Sequence, residues 1–595
     1  MTEYRAPIDD MRFVINEIAD LAGVTALPGC EDATPDLVDA ILEEAGKFAS
    51  EVLAPLNRSG DIEGCTFENG TVRTASGFKD AYRQFVEGGW NGVPFNPEHG
   101  GQGLPWLVST AVSEIWNAAN MSFGLCPLLT QGATELLEAH GSEDLKAVYL
   151  EKMVSGEWNG TMNLTEPQAG SDLARVRTKA QREGDNYRIK GQKIFITYGE
   201  HDMTDNIVHM VLARLPEAPD GIKGISLFVV PKFLVNADGS LGQRNDLKCV
   251  SIEHKLGINA SPTAVMSYGD NEGALGYLVG EENKGIQYMF TMMNNARLAV
   301  GLEGVAIAER AYQQARDFAK ERLQSKDATS ADPAPVAIIR HPDVKRMLLS
   351  MRAKTEASRS IAYVAASFLD KAKRHPDPDE RARSQAMVDL LIPVVKAWST
   401  DNGIETANTG VQIHGGMGFI EETGVAQHLR DARIASIYEG TNGIQAIDLV
   451  GRKIVRENGE TAELLIAQIR QFLETTTAPD HLEPLFKRLA GATDDLEHTT
   501  GWICKTFTEN ANAVLAGAVP YLSLMGITIG GWMMARGAVI ASNKMDDSEG
   551  DMRFLKGKIS SAMYFGDHVL VDSASLKERV VAGPASILDL DEDVY

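Results

Sequence analysis

The chain has 595 residues, and its 57 Lys+Arg against 82 Asp+Glu leave a formal net charge of −25 at neutral pH. A surface that grips nucleic acid or anionic lipid needs clustered basic side chains, and the longest clusters here, such as Lys371 to Arg374, are short and interrupted. This argues against nucleic acid as a partner. With 44% hydrophobic and 23% charged residues the composition is that of a globular protein, and at roughly 100 to 200 residues per domain the length predicts several domains. Cys30, Cys65, Cys126, Cys249 and Cys504 are scattered, odd in number and never spaced C-x-x-C, which speaks against a disulfide framework and a zinc site. The opening MTEYRAPIDDMRFVINEIADL sets acids inside its apolar pattern and does not read as a secretory signal, so the expected compartment is the cytoplasm.

Residues 1–34 read as an N-terminal extension. From 35 to 160 apolar residues recur at helical spacing, as in LVDAILEEAGKFASEVLAPL, with GVPFNPEHGGQGLPW as a long Pro/Gly loop. Between 161 and 282 the character changes. YRIKGQKIFITYG, DNIVHMVLARL, KGISLFVVPKF and PTAVMSYGD are short, rich in Val, Ile, Phe and Tyr, and separated by turn residues, which predicts a compact β domain. The stretch 283–456 reverts to helix, with one long periodic run that stops before SKDATSADPAPV and three further helices around 344–370, 381–405 and 443–455. A linker, TTTAPDHLEP, leads to a final helical domain within 472–595 that looks like an appendage. Its uncharged run from Ala511 to Ala535 reaches the roughly 20 residues needed to cross a bilayer. Pro520, the glycines and the absence of a flanking basic loop favour a buried helix or helix pair over a membrane span.

Helices, a β domain and helices again is an uncommon order, and the residues at its joints resemble the acyl-CoA dehydrogenase family. The likeness rests on MNLTEPQAGSD (Met162 to Asp172), KIFIT (Lys193 to Thr197) and IYEGTNGIQ (Ile437 to Gln445), the last preceded by VQIHGGMGF (Val411 to Phe419). It covers about 35–455. The start and the final domain resemble the family's longer branch, which includes 3-methylmercaptopropionyl-CoA and some fatty acyl-CoA dehydrogenases. The expected fold is mainly α with a central β domain: an N-terminal helical domain, a β-barrel-like domain and a C-terminal helical bundle, followed by the additional helical domain.

Taken alone, LTEPQAGSD is a turn that Pro167 stiffens and Ser171 or Asp172 caps. The resemblance makes Met162, Leu164, Thr165, Gly170 and Ser171 contacts of FAD, since short side chains and open N–H groups let a backbone approach phosphate without a basic patch. KIFIT read by itself is an alternating strand, with Ile194 and Ile196 on one face and Phe195 and Thr197 on the other. By resemblance Phe195, where the family usually has Trp, packs on the flavin ring, and Thr197 bonds near flavin N5. Arg322 in ERLQSK is expected to reach the FAD of a neighbouring subunit, and Gln412, Gly415 and Gly416 its adenosine-pyrophosphate end. Thr441 and Asn442 complete the cofactor set. Ser171, Asn294, Arg297, Tyr438 and Gly440 are the implied substrate contacts, Asn294 standing where the family commonly has Asp. AANMSFGLCPLLTQGA would face the acyl tail, where Met121, Phe123 and Leu125 either shorten the pocket or pack the core.

As a lone acid in YEGTNG, Glu439 reads as a solvated loop residue; its place in the motif matches the family's catalytic base. The alternative site in some branches, immediately before the helix arginine, is Ala296 here. The implied reaction is α,β-dehydrogenation of an acyl-CoA, with FAD as cofactor, electron-transferring flavoprotein as acceptor, no metal, no integral membrane segment and a homodimer as the assembly. Two competitors remain at this stage: an acyl-CoA oxidase of the same architecture, and a binding module that has lost its chemistry.

Overall fold

The computed structural model describes residues 4–329 and 331–594. They divide into two units, Glu44–Ala299 and the described residues on either side of it, and the order of elements is helices, strands, then helices.

In the first unit, helices Trp106–Ala119 and Met121–His140 are joined where Asn120 leaves helical geometry and its side chain accepts the Phe123 N–H at 3.1 Å, an N-cap. Phe78, Tyr82, Phe85, Trp116 and Phe123 form a cluster of edge-on and tilted contacts, with Tyr82 and Phe85 stacked, ring centroids 5.8 to 6.2 Å apart. Asn69 and Gly70, both left-handed, turn a small hairpin between Thr66–Glu68 and Thr71–Arg73, an Asn-Gly signal absent from the expected helical reading. The β domain is an eight-stranded sheet. Its long strand Asn186–Thr197 pairs antiparallel with Thr263–Tyr268, Ala274–Leu278 and Lys179–Glu183, while Trp158–Asn163 runs parallel to Asn206–Arg214. Tyr187, Ile189, Ile196, Phe228 and Met266 are among its core residues.

The second unit is helical. Helix Gly285–Glu321, which enters it at Val300, crosses Pro378–His414 closely because both present glycine. A Cβ on Gly301 would lie 2.6 Å from the Val395 carbonyl, one on Gly304 would meet the Ser399 carbonyl, and one on Gly403 would sit 2.7 Å from the Gly304 carbonyl. The helices can approach only without those methyls.

The final domain is not an appendage. Gly517 ends Ala511–Ala516 and opens Ala518–Asp546, so the apolar run is a helix pair, with Pro520 in the first turn of its second member, where a missing N–H costs nothing. Helix Ala518–Asp546 is long and apolar enough to cross a membrane by length and composition, and 78% of its most apolar window is buried within the protein. Its Gly526 abuts the Trp398 ring, so that a Cβ there would lie 2.6 Å away. A buried ionic chain then joins three regions of sequence. Arg359 donates to Asp10 at 2.6 Å and Glu309 at 2.9 Å, and Lys558 to Asp10 at 2.7 Å and Glu356 at 3.0 Å. Burial opposes ionisation of Asp10, but Lys558 and Arg359 outweigh it and hold the carboxyl well below the usual range.

Candidate active site

In the β domain, the loop after Trp158–Asn163 and the end of Asn186–Thr197 are fastened together by a pair that the expected site did not contain. Lys193 is fully buried; its ammonium donates to Glu166 at 2.9 Å and to the Leu164 carbonyl at 3.0 Å. Glu166 also accepts the backbone N–H groups of Arg177 (2.8 Å) and Thr178 (3.0 Å) and the Thr178 hydroxyl (2.6 Å), and Ile194 N–H donates to the Thr165 carbonyl at 2.9 Å. Burial pushes Lys193 down to about 8. It pushes Glu166 up, but Lys193 and the Thr178 donors prevail and hold that carboxyl at about 2, so both are ionised at neutral pH.

Strict alternation along KIFIT fails. Lys193 pairs with Met266 and Ile196 with Ala264, so Ile194 and Phe195 together oppose Val265, a β-bulge, and Phe195 sits at φ +60°. Lys193 and Ile196, three apart, are both buried, whereas the Phe195 ring is turned outward and 58% exposed, with half-buried Thr197 two residues on. Met162 and Thr165 are half-buried, Leu164 is buried, and Gly170 and Ser171 are exposed, the space a Cβ would take at Gly170 being open. Asp172 caps the turn that follows, accepting from Ala174 N–H at 3.2 Å.

Asn294 and Arg297 lie three apart on Gly285–Glu321, hence on one face; Arg297 is buried and Asn294 half-buried. Met121, Phe123 and Leu125 are core: each is at most 2% exposed, and Phe123 belongs to the aromatic cluster. A cavity of about 20 Å³ opens on another side of that helix, lined by Gly124, Leu128 and Gln131 with Trp116 and Asn295.

In the helical unit, Glu439 (φ +57°) and Gly440 (φ +82°) are consecutive left-handed residues between the short turn Arg433–Ser436 and helix Asn442–Asp448. For a side chain as large as Glu this costs about 1 to 2 kcal/mol and persists only where surroundings impose it. They do. Lys396, fully buried, donates to the Gly440 carbonyl and to Asn442 Oδ1 at 2.8 Å each; Gln445, also buried, donates to the Glu439 carbonyl at 3.0 Å. The Asn442 amide donates to the Ala397 carbonyl (3.1 Å), Thr400 (3.0 Å) and Asp401 (2.7 Å), so its side chain braces the loop rather than reaching outward. Thr441 accepts Ile444 N–H at 3.2 Å as an N-cap. Beneath the loop, Glu303 accepts the Tyr438 hydroxyl.

A third group forms where two helices end side by side. Phe318 stacks on His414 with centroids 4.2 Å apart; Arg322, one turn after Phe318, and Gln412, Gly415 and Gly416, around His414, are all exposed. Added Cβ atoms at Gly415 and Gly416 would meet nothing within 4 Å. Taken each within its own unit, Phe195 offers an uncovered aromatic face on which a planar ring can pack, and the Gly415–Gly416 turn leaves its backbone open to a close-approaching group.

Glu166, Lys193, Glu303, Lys396 and Gln445 were not on the expected list. Their common sequence signal is a charged or amide residue inside an otherwise apolar or motif stretch, as Lys396 in LLIPVVKAW.

The chain matches the N-terminal, middle and C-terminal domains of the acyl-CoA dehydrogenases over residues 36–157, 161–270 and 283–454, and an acetyl-CoA dehydrogenase C-terminal-like domain over 465–591. It belongs to the acyl-CoA dehydrogenase family and is an FAD-dependent acyl-CoA dehydrogenase, an oxidoreductase acting on a CH–CH group. It is 48% identical to the 3-methylmercaptopropionyl-CoA dehydrogenase of Ruegeria pomeroyi, over 98% of this chain and 99% of that protein. A butyryl-CoA dehydrogenase of Syntrophomonas wolfei is 34% identical over 100% and 99%. An acyl-CoA dehydrogenase from Bacillus anthracis complexed with FAD shares the fold, with a TM-score of 0.74 and 21% identity over 98% of this chain and 92% of that one.

Proposed function

We propose that this acyl-CoA dehydrogenase oxidises 3-methylmercaptopropionyl-CoA to its 2-enoyl thioester, with Glu439 as the base. What carries the substrate reading is the 48% identity to the Ruegeria enzyme along nearly the whole of both chains. Glu439 takes the α-proton, and the strained loop imposed by Lys396 and Gln445 fixes where its carboxylate stands. An α-C–H is too weak an acid for a carboxylate in water, so the thioester oxygen needs preorganised donors, worth about 3 to 4 kcal/mol each; the Glu439 N–H is one candidate. FAD, when bound, supplies the acceptor for the β-hydrogen as hydride. Phe195 and Thr197 would hold the ring, the loop from Met162 to Ser171 the ring and pyrophosphate, Arg322, Gln412, Gly415 and Gly416 the adenosine-pyrophosphate end, with Thr441 and Asn442 in the adjoining turn; Ser171, Asn294, Arg297, Tyr438 and Gly440 would meet the substrate. The enzyme works as a cytoplasmic homodimer, Arg322 serving the neighbouring subunit, and passes electrons to electron-transferring flavoprotein.

A panel of acyl-CoAs assayed with an artificial electron acceptor tests the substrate. The reading predicts the highest kcat/KM on 3-methylmercaptopropionyl-CoA, ahead of butyryl-CoA and longer chains. A maximum on a medium or long fatty acyl-CoA would replace it, and steady hydrogen peroxide release without acceptor would mark an oxidase.

A further inference from the structure

Helix Gly285–Glu321 carries an acid that none of the roles above employs. Glu303 stands in the run LAVGLEGVAIA, flanked on both sides only by apolar residues and glycine, and is fully buried. The close crossing at Gly301 and Gly304 sets it against Pro378–His414 and the Glu439 loop. One carboxyl oxygen accepts the Tyr438 hydroxyl, and the other, Oε1, is buried with no hydrogen-bond partner. The titratable and charged groups that face it are Tyr438 and Glu439 from the loop and Lys396 from the facing helix, whose ammonium donates to the Gly440 carbonyl and Asn442. A carboxylate here would be desolvated, half unsatisfied and close to a second carboxylate; a neutral carboxylic acid avoids these costs. Burial pushes the Glu303 carboxyl up to about 8, with Tyr438 and Lys396 pulling against it and Glu439 adding to it.

We propose that Glu303 is a positioning residue of the dehydrogenation: its uncharged carboxyl grips the Tyr438 hydroxyl and thereby fixes the adjoining Glu439 without setting a second negative charge beside it. This rests on Glu439 being the base. When Glu303 ionises on the alkaline side, it places a second negative charge beside the Glu439 loop.

The test is anaerobic single-turnover reduction of the FAD-loaded enzyme, followed against pH, with the acyl-CoA that reduces it fastest. Wild type should show a transition near pH 8; Glu303→Gln keeps an acceptor for Tyr438 but cannot ionise, so it should reduce within about threefold of wild type at pH 7 and lack that transition. Glu303→Leu and Tyr438→Phe each remove the grip and should lose about tenfold or more in reduction rate, with substrate affinity changed less. Tyr438→Phe decides the matter if Glu303→Leu does not fold. Wild-type reduction by Tyr438→Phe, or a pH 8 transition that survives in Glu303→Gln, overturns the proposal. Glu439→Gln, measured in parallel, separates the two ideas. If it still reduces normally, the base assignment falls and this proposal with it; if it is inactive while the Glu303 and Tyr438 variants behave as wild type, only this proposal falls.

Discussion

At the scale of single residues, the site is built on groups held where they would not stay unaided. The left-handed Glu439 is one, and the buried lysine that fastens its loop is another. Lys396→Met fits the same space but releases the Gly440 carbonyl and Asn442; we expect full FAD content and at least a tenfold loss of kcat, read by flavin absorbance and turnover in one preparation. Glu303 leaves a thermodynamic signature as well. Its folded-state pKa lies above its unfolded value, so the native protein binds the extra proton between about pH 4.5 and 8, and stability falls as pH rises through that window and levels off above it. Glu303→Gln should flatten that slope and be the more stable protein at pH 8, by a few kcal/mol at most; an unchanged slope in thermal unfolding against pH would contradict it. Glu439 was legible in the sequence because YEGTNG is a motif. Glu303 was not, because its partners lie 93 and 135 residues away, at Lys396 and Tyr438, and a lone acid in an apolar helix announces burial without saying against what.

At the scale of elements, local pattern succeeded wherever a single periodicity governed a segment. The long helix from Gly285, the strands around KIFIT and the helical return after the β domain all follow from it. It failed where one extra residue broke the period. The bulge at Ile194 and Phe195 cannot be read from alternation, since it depends on the register against Thr263–Tyr268, and it is what turns the Phe195 ring outward. The Lys193–Glu166 tie holds that geometry. Glu166→Gln should leave Lys193 buried beside a neutral partner, weaken the loop and lower FAD retention after gel filtration, with the apoprotein fraction as the measure. The helix crossing gives a sterner test. Gly304→Ala drives a methyl into the Ser399 backbone and should cost about 1 to 3 kcal/mol, seen as a fall in Tm; no change would mean that the crossing is looser than described.

At the scale of the whole molecule, the N-terminal extension and the final domain are parts of one helical unit rather than additions to it, and buried charge joins them. The uncharged run from Ala511 to Ala535 already required a cover, but the ionic part of the join was not legible, because nothing in the sequence near Asp10, Arg359 or Lys558 marks them as partners. Asp10→Ala removes the acceptor shared by two buried cations and should destabilise the unit by about 3 to 5 kcal/mol. Asp10 and Glu166 both have depressed folded pKa values, so the stability they contribute is complete only above their ordinary values, about pH 4 for Asp10 and 4.5 for Glu166, and is lost as pH falls below them, toward about 2 for Glu166. Truncation after Gln471 would uncover Trp398 and the apolar faces that helix Ala518–Asp546 covers, and aggregation is the expected result even though every proposed catalytic residue remains.

Whether Glu439 abstracts the α-proton in an FAD-dependent dehydrogenation is read from anaerobic flavin bleaching in Glu439→Gln at full FAD occupancy. The variant should bind acyl-CoA and keep its flavin spectrum, while reduction slows by two to four orders of magnitude, about the range general-base catalysis supplies. Bleaching within tenfold of the wild-type rate would contradict it.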